Sequence, residues 1–366
     1  MKDLENSRRE INEIDAEMAR LFEARMAASA EIASYKREHG LSVRDPSREA
    51  ELIEKNRRLI KDAEIESYYV QFIKKTVALS RDYQSRIMNG RRVGYCGVEG
   101  AYAHIAAKKM FPHARLEPFS DFAQAYKAVE EGTLDSVVLP LENSYAGEVG
   151  TVMDLMFSGS LYINQVMDLD VAHNLIACEG ATLQSIKTVV SHPQALEQCE
   201  DYIRLHGYAT RAYSNTALAA KQVKESGDLS LAAIASEETA DIFSLNVLDS
   251  KINASSNNTT RFAAFSMSQY IPSPASKRED ENFMLVFTVQ NEAGALAQTL
   301  NIIGSHGYNM RNLRSRPMKG LLWNYYFFLE AEGNVNNANG RAMLQELSAV
   351  CAKLRLVGAY YENNIG

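Results

Sequence analysis

Residues 4–38 read LENSRREINEIDAEMARLFEARMAASAEIASYKRE, with no glycine or proline. Ile11, Ile14, Met18, Leu21 and Ile32 recur at helical spacing, which predicts one helix of about 35 residues, roughly 50 Å long. A helix this long has no equal in a small domain, so it predicts an interlocked dimer that buries the helix against its two-fold mate. After a break at Gly40, Asp45 and Pro46 suit the cap and first position of a second helix running to about Ile60, and a third runs from about Ile65 to Ile87. At about 100° per residue, Ile14, Arg25 and Lys36 share the face of Met18, Leu21 and Ile32. Glu49 falls with Ile53, Asn56 and Ile60 on the second helix, and Ser80 and Gln84 continue the stripe of Ile73, Thr76 and Val77 on the third. One inward polar residue reads as a snorkelling side chain or a structural ion pair; five across three helices favour a site. Arg25 and Lys36 buried without compensation would each cost several kcal/mol, and Glu49 alone does not neutralise both. A small dianionic ligand would. Arg8 lies about 100° around the helix from Arg25, so it reaches that pocket only from another subunit.

Beyond Asn89-Gly90 the texture changes to short apolar runs, Arg92–Cys96 and Ser136–Pro140 among them, separated by helical stretches such as Phe122–Glu131. That alternation predicts an α/β domain. The polar, Pro-containing stretch within 269–281 reads as a linker, and a strand, helix, strand, strand, helix, strand pattern follows over 282–360, which predicts a small ferredoxin-like α+β sandwich. The expected fold is thus multidomain, with helical residues 1–90, α/β residues 91–268, linker 269–281 and a last module 282–360. The 366 residues, 46% of them hydrophobic, suffice for two or three cores, and 46 acidic against 39 basic residues argue against a nucleic-acid or anionic-membrane partner. A charged start and no 18-residue apolar run predict a cytoplasmic protein without a membrane span. Four scattered cysteines and seven histidines without HExxH spacing predict no disulfide framework, metal or cofactor.

In the central stretch, Gly97-Val98-Glu99-Gly100-Ala101-Tyr102, Leu141-Glu142-Asn143-Ser144, Ser191-His192-Pro193-Gln194 and Thr260-Arg261-Phe262 lie at strand ends, where open α/β sheets bind anions. Singly each is weak, the glycine turn especially, since it lacks the third glycine and the lysine of phosphate loops. Together and in this order they resemble the prephenate dehydratase family over 91–268. The resemblance implies a two-lobed, periplasmic-binding-protein-like domain with the site in its cleft. It also implies an essential threonine, here Thr260, that assists hydroxide departure. Arg261 is expected to anchor the pyruvyl carboxylate, and Asn143, Ser144 and Ser191 to form a hydrogen-bonding wall. Glu142 and His192 are open between functional and structural roles. Many members carry Ser where this chain has Ala103, so no contact is expected there.

Arg8, Ile11, Asp15, Arg25, Lys36, the segment Val43–Glu49, Ser80 and Gln84 resemble the all-helical chorismate mutase family over 1–90. By that resemblance Arg25 and Arg48, with Arg8 from the partner, hold substrate carboxylates. Lys36 and Gln84 meet the ether oxygen, and Asp45, Glu49 and Ser80 approach the ring hydroxyl. A pericyclic rearrangement needs conformer selection and charge stabilisation rather than a nucleophile, which suits these side chains. Gly294-Ala295-Leu296 and Ser315-Arg316-Pro317 resemble the phenylalanine-binding motifs of ACT domains. The family's usual Glu is replaced by Arg314, so retained but weaker phenylalanine sensing is expected, with a bare dimerisation sandwich as the alternative. The implied whole is a bifunctional enzyme of phenylalanine biosynthesis, a homodimer or higher homo-oligomer, acting on chorismate and prephenate and feedback-inhibited by phenylalanine. The competing reading is a monofunctional mutase whose central lobes only sense a ligand, and Thr260-Arg261-Phe262 argues against it.

Overall fold

The structure, a computed structural model, describes residues 4–254, 258–269, 281–318 and 325–362. Residues 270–280, most of the expected linker, therefore lie outside the described residues. The chain divides into two compact units, 1–92 with 113–115 and 93–112 with 116–366.

The first unit holds α1 (Leu4–Glu38), α2 (Pro46–Arg57) and α3 (Ala63–Asn89). Nothing in α1 interrupts its backbone ladder until Gly40, whose φ of +64° is free only to a residue without a Cβ. Asp45 caps α2 as expected, its carboxylate accepting from Arg48 N at 3.0 Å, with Pro46 in the first position. α2 stops at Arg57, short of Ile60. α1 packs on α3, and what this unit buries is small: Ser29, Ala33, Thr76, Val77 and Ser80. Ile11, Ile14, Met18, Leu21 and Ile32 remain 44% to 57% exposed.

The second unit begins with β1 (Arg92–Cys96), α4 (Tyr102–Met110), β2 (Arg115–Phe119), α5 (Phe122–Glu130), β3 (Ser136–Asn143), β4 (Gly147–Glu148), α6 (Gly150–Ser158) and β5 (Tyr162–Asp170). The chain then crosses to a second lobe made of β6 (Asn174–Ala177), β7 (Thr188–Ser191), α7 (Pro193–Gln198), α8 (Glu200–His206), β8 (Ala209–Ala212), α9 (Thr216–Ser226), β9 (Leu231–Ala235), α10 (Glu237–Phe243) and β10 (Asn246–Asp249). It returns as β11 (Thr259–Ser266), between β3 and β5 and antiparallel to both. The last module adds β12 (Glu281–Thr288), α11 (Ala295–Ser305), β13 (Asn309–Pro317), β14 (Tyr325–Glu332), α12 (Ala338–Val350) and β15 (Lys353–Glu362).

Among the described residues the second lobe's sheet runs β10-β6-β9-β7-β8. The other sheet runs β13-β14-β12-β15-β5-β11-β3-β1-β2, with β4 paired to β3. The last module is therefore joined edge to edge to the first lobe, through parallel pairing of β15 with β5. At the seam Gly358 lies so close that a Cβ there would sit 2.0 Å from the Ile163 carbonyl oxygen, so no larger residue fits. β12, buried at every position, shows how the module serves two neighbours at once. Phe283, Leu285 and Phe287 face the module's own core with Ile303, Met343 and Leu347. Met284 and Val286, on the other face by the period of two, join the first lobe's core with Tyr126, Met153 and Phe265.

Candidate active site

A cavity of about 360 Å³ opens where the two lobes of the second unit meet. The first sheet contributes Asn143, Glu148 and Thr260, and the second lobe contributes His192, Gln194, Asn215 and Thr216. Four helices begin at its wall: α4 at Ala101, α6 at Val149, α7 at His192 and α9 at Asn215. Neither Ala101 nor Val149 supplies a side-chain cap, so the positive ends of α4 and α6 keep backbone N–H groups for an anion. No lysine or arginine is among the lining residues.

Thr260 is the second residue of β11, and its register partner across the ladder is Asn143, the last residue of β3. Asn143 Oδ1 accepts from the backbone N–H groups of Tyr145 and Ala146 at 3.0 and 2.9 Å. Backbone N–H groups only donate, so the amide's orientation is settled and Nδ2 faces the other way. Nδ2 lies 2.9 Å from Thr260 Oγ1 and 2.8 Å from Asn258 Oδ1. Asn258 Nδ2 in turn donates to Gln198 Oε1 at 3.0 Å, and His173 Nε2 lies 2.7 Å from the same oxygen. With Nε2 donating, the second nitrogen of a neutral ring is an acceptor, and the Tyr102 hydroxyl stands 3.4 Å from it while donating to Ala172 O at 3.0 Å. Burial lowers the pKa of His173 below its usual value and raises that of Tyr102. The network is therefore neutral; His173 and Asn258 both donate to Gln198, and Asn143 Nδ2 donates to Asn258 on one side and to Thr260 Oγ1 on the other, which leaves that hydroxyl's own proton for whatever occupies the cavity.

Other expected wall residues are placed elsewhere. Adjacent strand residues face opposite sides, so Arg261 leaves the cavity to Thr260. Its Nη1 and Nη2 bind Glu330 of β14 at 2.8 and 2.7 Å, which corrects the expectation of a carboxylate anchor in the cleft. Ser144 Oγ accepts from Thr259 N at 2.9 Å, and buried Ser191 donates to Ile234 O at 2.6 Å, so neither lines the cavity. His192 does line it, while also capping α7. Asn258, Gln198 and His173 were missed by sequence reasoning. Asn258 stood beside the threonine motif, whereas nothing in sequence marked His173 or Gln198, which meet it only through the fold.

In the first unit Arg25 Nη1 donates to Ser80 Oγ and, at 3.2 Å, to Thr76 O, which joins α1 to α3. Lys36 Nζ donates to Val43 O at 2.7 Å, and Glu49 takes Arg81 of α3 at 3.2 Å, a partner the sequence did not suggest. Gln84 is half-buried one turn beyond Ser80. Arg8, Asp45 and Arg48 are exposed, Arg48 against Glu51. In the last module Gly294 (φ +86°) precedes α11, with Ala295 and Leu296 in its first turn. Ser315 is exposed, but Arg316 turns inward, 3.7 Å from Glu148 and 3.6 Å from Asp154, so the two do not share one binding face.

The chorismate mutase type II family model matches residues 7–85 and the prephenate dehydratase model residues 93–269. A bifunctional chorismate mutase/prephenate dehydratase of Neisseria gonorrhoeae is 30% identical, over 96% of this chain and 95% of the relative. Among solved structures, prephenate dehydratase from Arthrobacter aurescens in complex with L-Phe superposes with a TM-score of 0.66 at 26% identity, over 74% of this chain and 90% of that one. GqqA, described as a novel type of quorum quenching acylases, superposes with a TM-score of 0.68 at 29% identity, over 75% of this chain and 99% of that one. The shared fold thus carries more than one activity, and residues rather than topology must decide. With both family models in their order and a full-length relative at this identity, the chain belongs to the bifunctional chorismate mutase/prephenate dehydratases.

Proposed function

We infer that the chain performs two consecutive steps of phenylalanine biosynthesis, rearranging chorismate to prephenate in its helical unit and converting prephenate to phenylpyruvate in the cleft. The observation that carries the second step is the Thr260 hydroxyl, oriented by Asn143 Nδ2 at 2.9 Å within the cavity. The bond from the ring carbon to its carboxylate breaks, CO₂ leaves, the electron pair shifts through the ring and hydroxide departs from the opposite carbon. Thr260 donates a hydrogen bond to that departing oxygen, and Asn143 strengthens it by donating to Oγ1. The pyruvyl carboxylate is met by the helix starts of α4 and α6 in place of Arg261.

In the mutase, Arg25 and Arg48 with Arg8 of a partner copy hold the two carboxylates. Lys36 and Gln84 stabilise charge on the ether oxygen, and Asp45, Glu49 and Ser80 approach the ring hydroxyl. The exposed apolar stripe of α1 supports the interlocked homodimer this arrangement needs. The last module, with its β-α-β-β-α-β succession, is read as a ferredoxin-like ACT domain sensing phenylalanine near Gly294, Ala295, Leu296 and Ser315. Among the described residues no helix is long and apolar enough to cross a membrane, which agrees with a cytoplasmic enzyme. Incubation with chorismate tests the whole reading. Phenylpyruvate and CO₂ are expected, prephenate alone would leave only a mutase with a sensing domain, and unchanged chorismate would overturn both activities.

A further inference from the structure

On β13 the side chains of Asn312, Arg314 and Arg316 are half-buried while Leu313 and Ser315 are exposed. The inward face meets the β3–β4 hairpin, which is short: Glu142 pairs with Glu148 and Asn143 with Gly147. The hairpin thus sets two carboxylates opposite each other, one residue from the asparagine that orients Thr260. Arg314 lies on both, Nη2 hydrogen-bonded to Glu142 Oε2 and Nη1 3.1 Å from Glu148 Oε1. Gly147 and Glu148 themselves line the cavity. Next to this contact the Arg316 guanidinium lies over Gly150, where a Cβ would come within 2.6 Å of it. Tyr326 stacks on Phe157 at 4.4 Å and binds Asp154 at 2.9 Å, so α6, which follows the hairpin, also rests on the last module.

We propose that Arg314 is a positioning residue for the dehydratase: by bridging Glu142 and Glu148 it holds the hairpin so that Asn143 aims its amide at Thr260. Two facing carboxylates on a two-pair hairpin repel; Arg261 Nη1 stands 3.9 Å from Glu142 and Arg316 Nη1 3.7 Å from Glu148, and Arg314 is in ion-pair range of both carboxylates. A guanidinium spans both, whereas an ammonium is a single point charge. The last module therefore shapes the dehydratase site directly, through the residue where this chain departs from the motif its family usually carries. The inference rests on the dehydratase reading of the cleft.

The test uses full-length protein with prephenate as substrate. Arg314→Met is expected to lower kcat by about tenfold or more with KM little changed, since misplacing a catalytic group by about 1 Å can cost around a hundredfold. Mutase turnover of the same preparation should stay at the wild-type level. In an Asn143→Ala background Arg314→Met should have almost no further effect, because it acts through Asn143. Full multiplication of the two losses, or a wild-type kcat for Arg314→Met, would overturn the proposal. If the methionine variant does not fold, Arg314→Lys decides: kcat between wild type and Asn143→Ala supports the bridge, and wild-type kcat refutes it. A wild type that makes no phenylpyruvate from prephenate would instead sink the dehydratase reading itself.

Discussion

The two units bury themselves in opposite ways. The second encloses Tyr126, Phe265, Phe283, Phe287, Tyr326 and Tyr360 at 2% exposure or less, and its polar network closes within one chain. The first buries mainly small residues and leaves Ile11, Ile14, Leu21 and Phe22 open. Burying such side chains stabilises by about 1.5–3 kcal/mol each, so the proposed second copy packed on the α1 stripe would supply apolar burial that the first unit lacks, whereas the second unit encloses its large side chains within itself. The proposed catalysis follows the same division: the proposed dehydratase site draws its residues from one chain, and the proposed mutase site needs Arg8 of a second copy.

The strongest blow to this contrast is a charge in the α1 stripe. Ile14→Asp should drive the helical dimer apart and abolish mutase turnover while prephenate dehydration survives. Sedimentation and paired assays measure this, and an unchanged mass with full mutase activity would erase the distinction between the units. Next in size, Glu330→Ala leaves Arg261 buried without its bidentate partner, which should cost the second unit about 3–5 kcal/mol in denaturant unfolding; mutase turnover should be unaffected. Lys36→Ala should lower mutase turnover at least about a hundredfold, roughly 3 kcal/mol, as removal of an oxyanion donor does. Mixing Arg8→Ala with Arg25→Ala protein sharpens the point, because exchanged dimers should regain one intact mutase site. No recovery after proven exchange would place both arginines on one chain's site. The smallest effect concerns pH. Burial holds His173 below its usual 6.5, so the stability carried by its neutral form is present above pH 6.5 and is lost as pH falls through the lowered value. Dehydratase kcat should accordingly be flat from pH 8 to 6.5 and decline only below.

The helices, the strand order in time and the positions of Thr260 and Asn143 were legible because each depends on local pattern: unbroken 3.6 periodicity in α1, an Asp-Pro cap at α2, short apolar runs at β1, β3 and β7. What was hidden depends on pairing between distant segments. That Arg261 turns away from Thr260 follows from strand alternation once β11 is known to begin at Thr259, but its partner Glu330 is 69 residues distant. The alternating faces of β12 could not reveal that the last module shares a sheet with the first lobe. Arg314 is the clearest case: as a departure in a ligand motif it led to the expectation of weaker phenylalanine sensing, which Arg314→Glu would be expected to restore. The structure sets it between Glu142 and Glu148, so that substitution adds a third carboxylate and should damage dehydration whatever calorimetry shows for phenylalanine.

The central claim is that one chain holds two separate sites and that the Thr260 hydroxyl serves the second. Thr260→Ala supplied with chorismate tests both parts in a single time course. The account predicts that chorismate is consumed at the wild-type rate while prephenate accumulates and phenylpyruvate does not form; phenylpyruvate appearing at near the wild-type rate would contradict it.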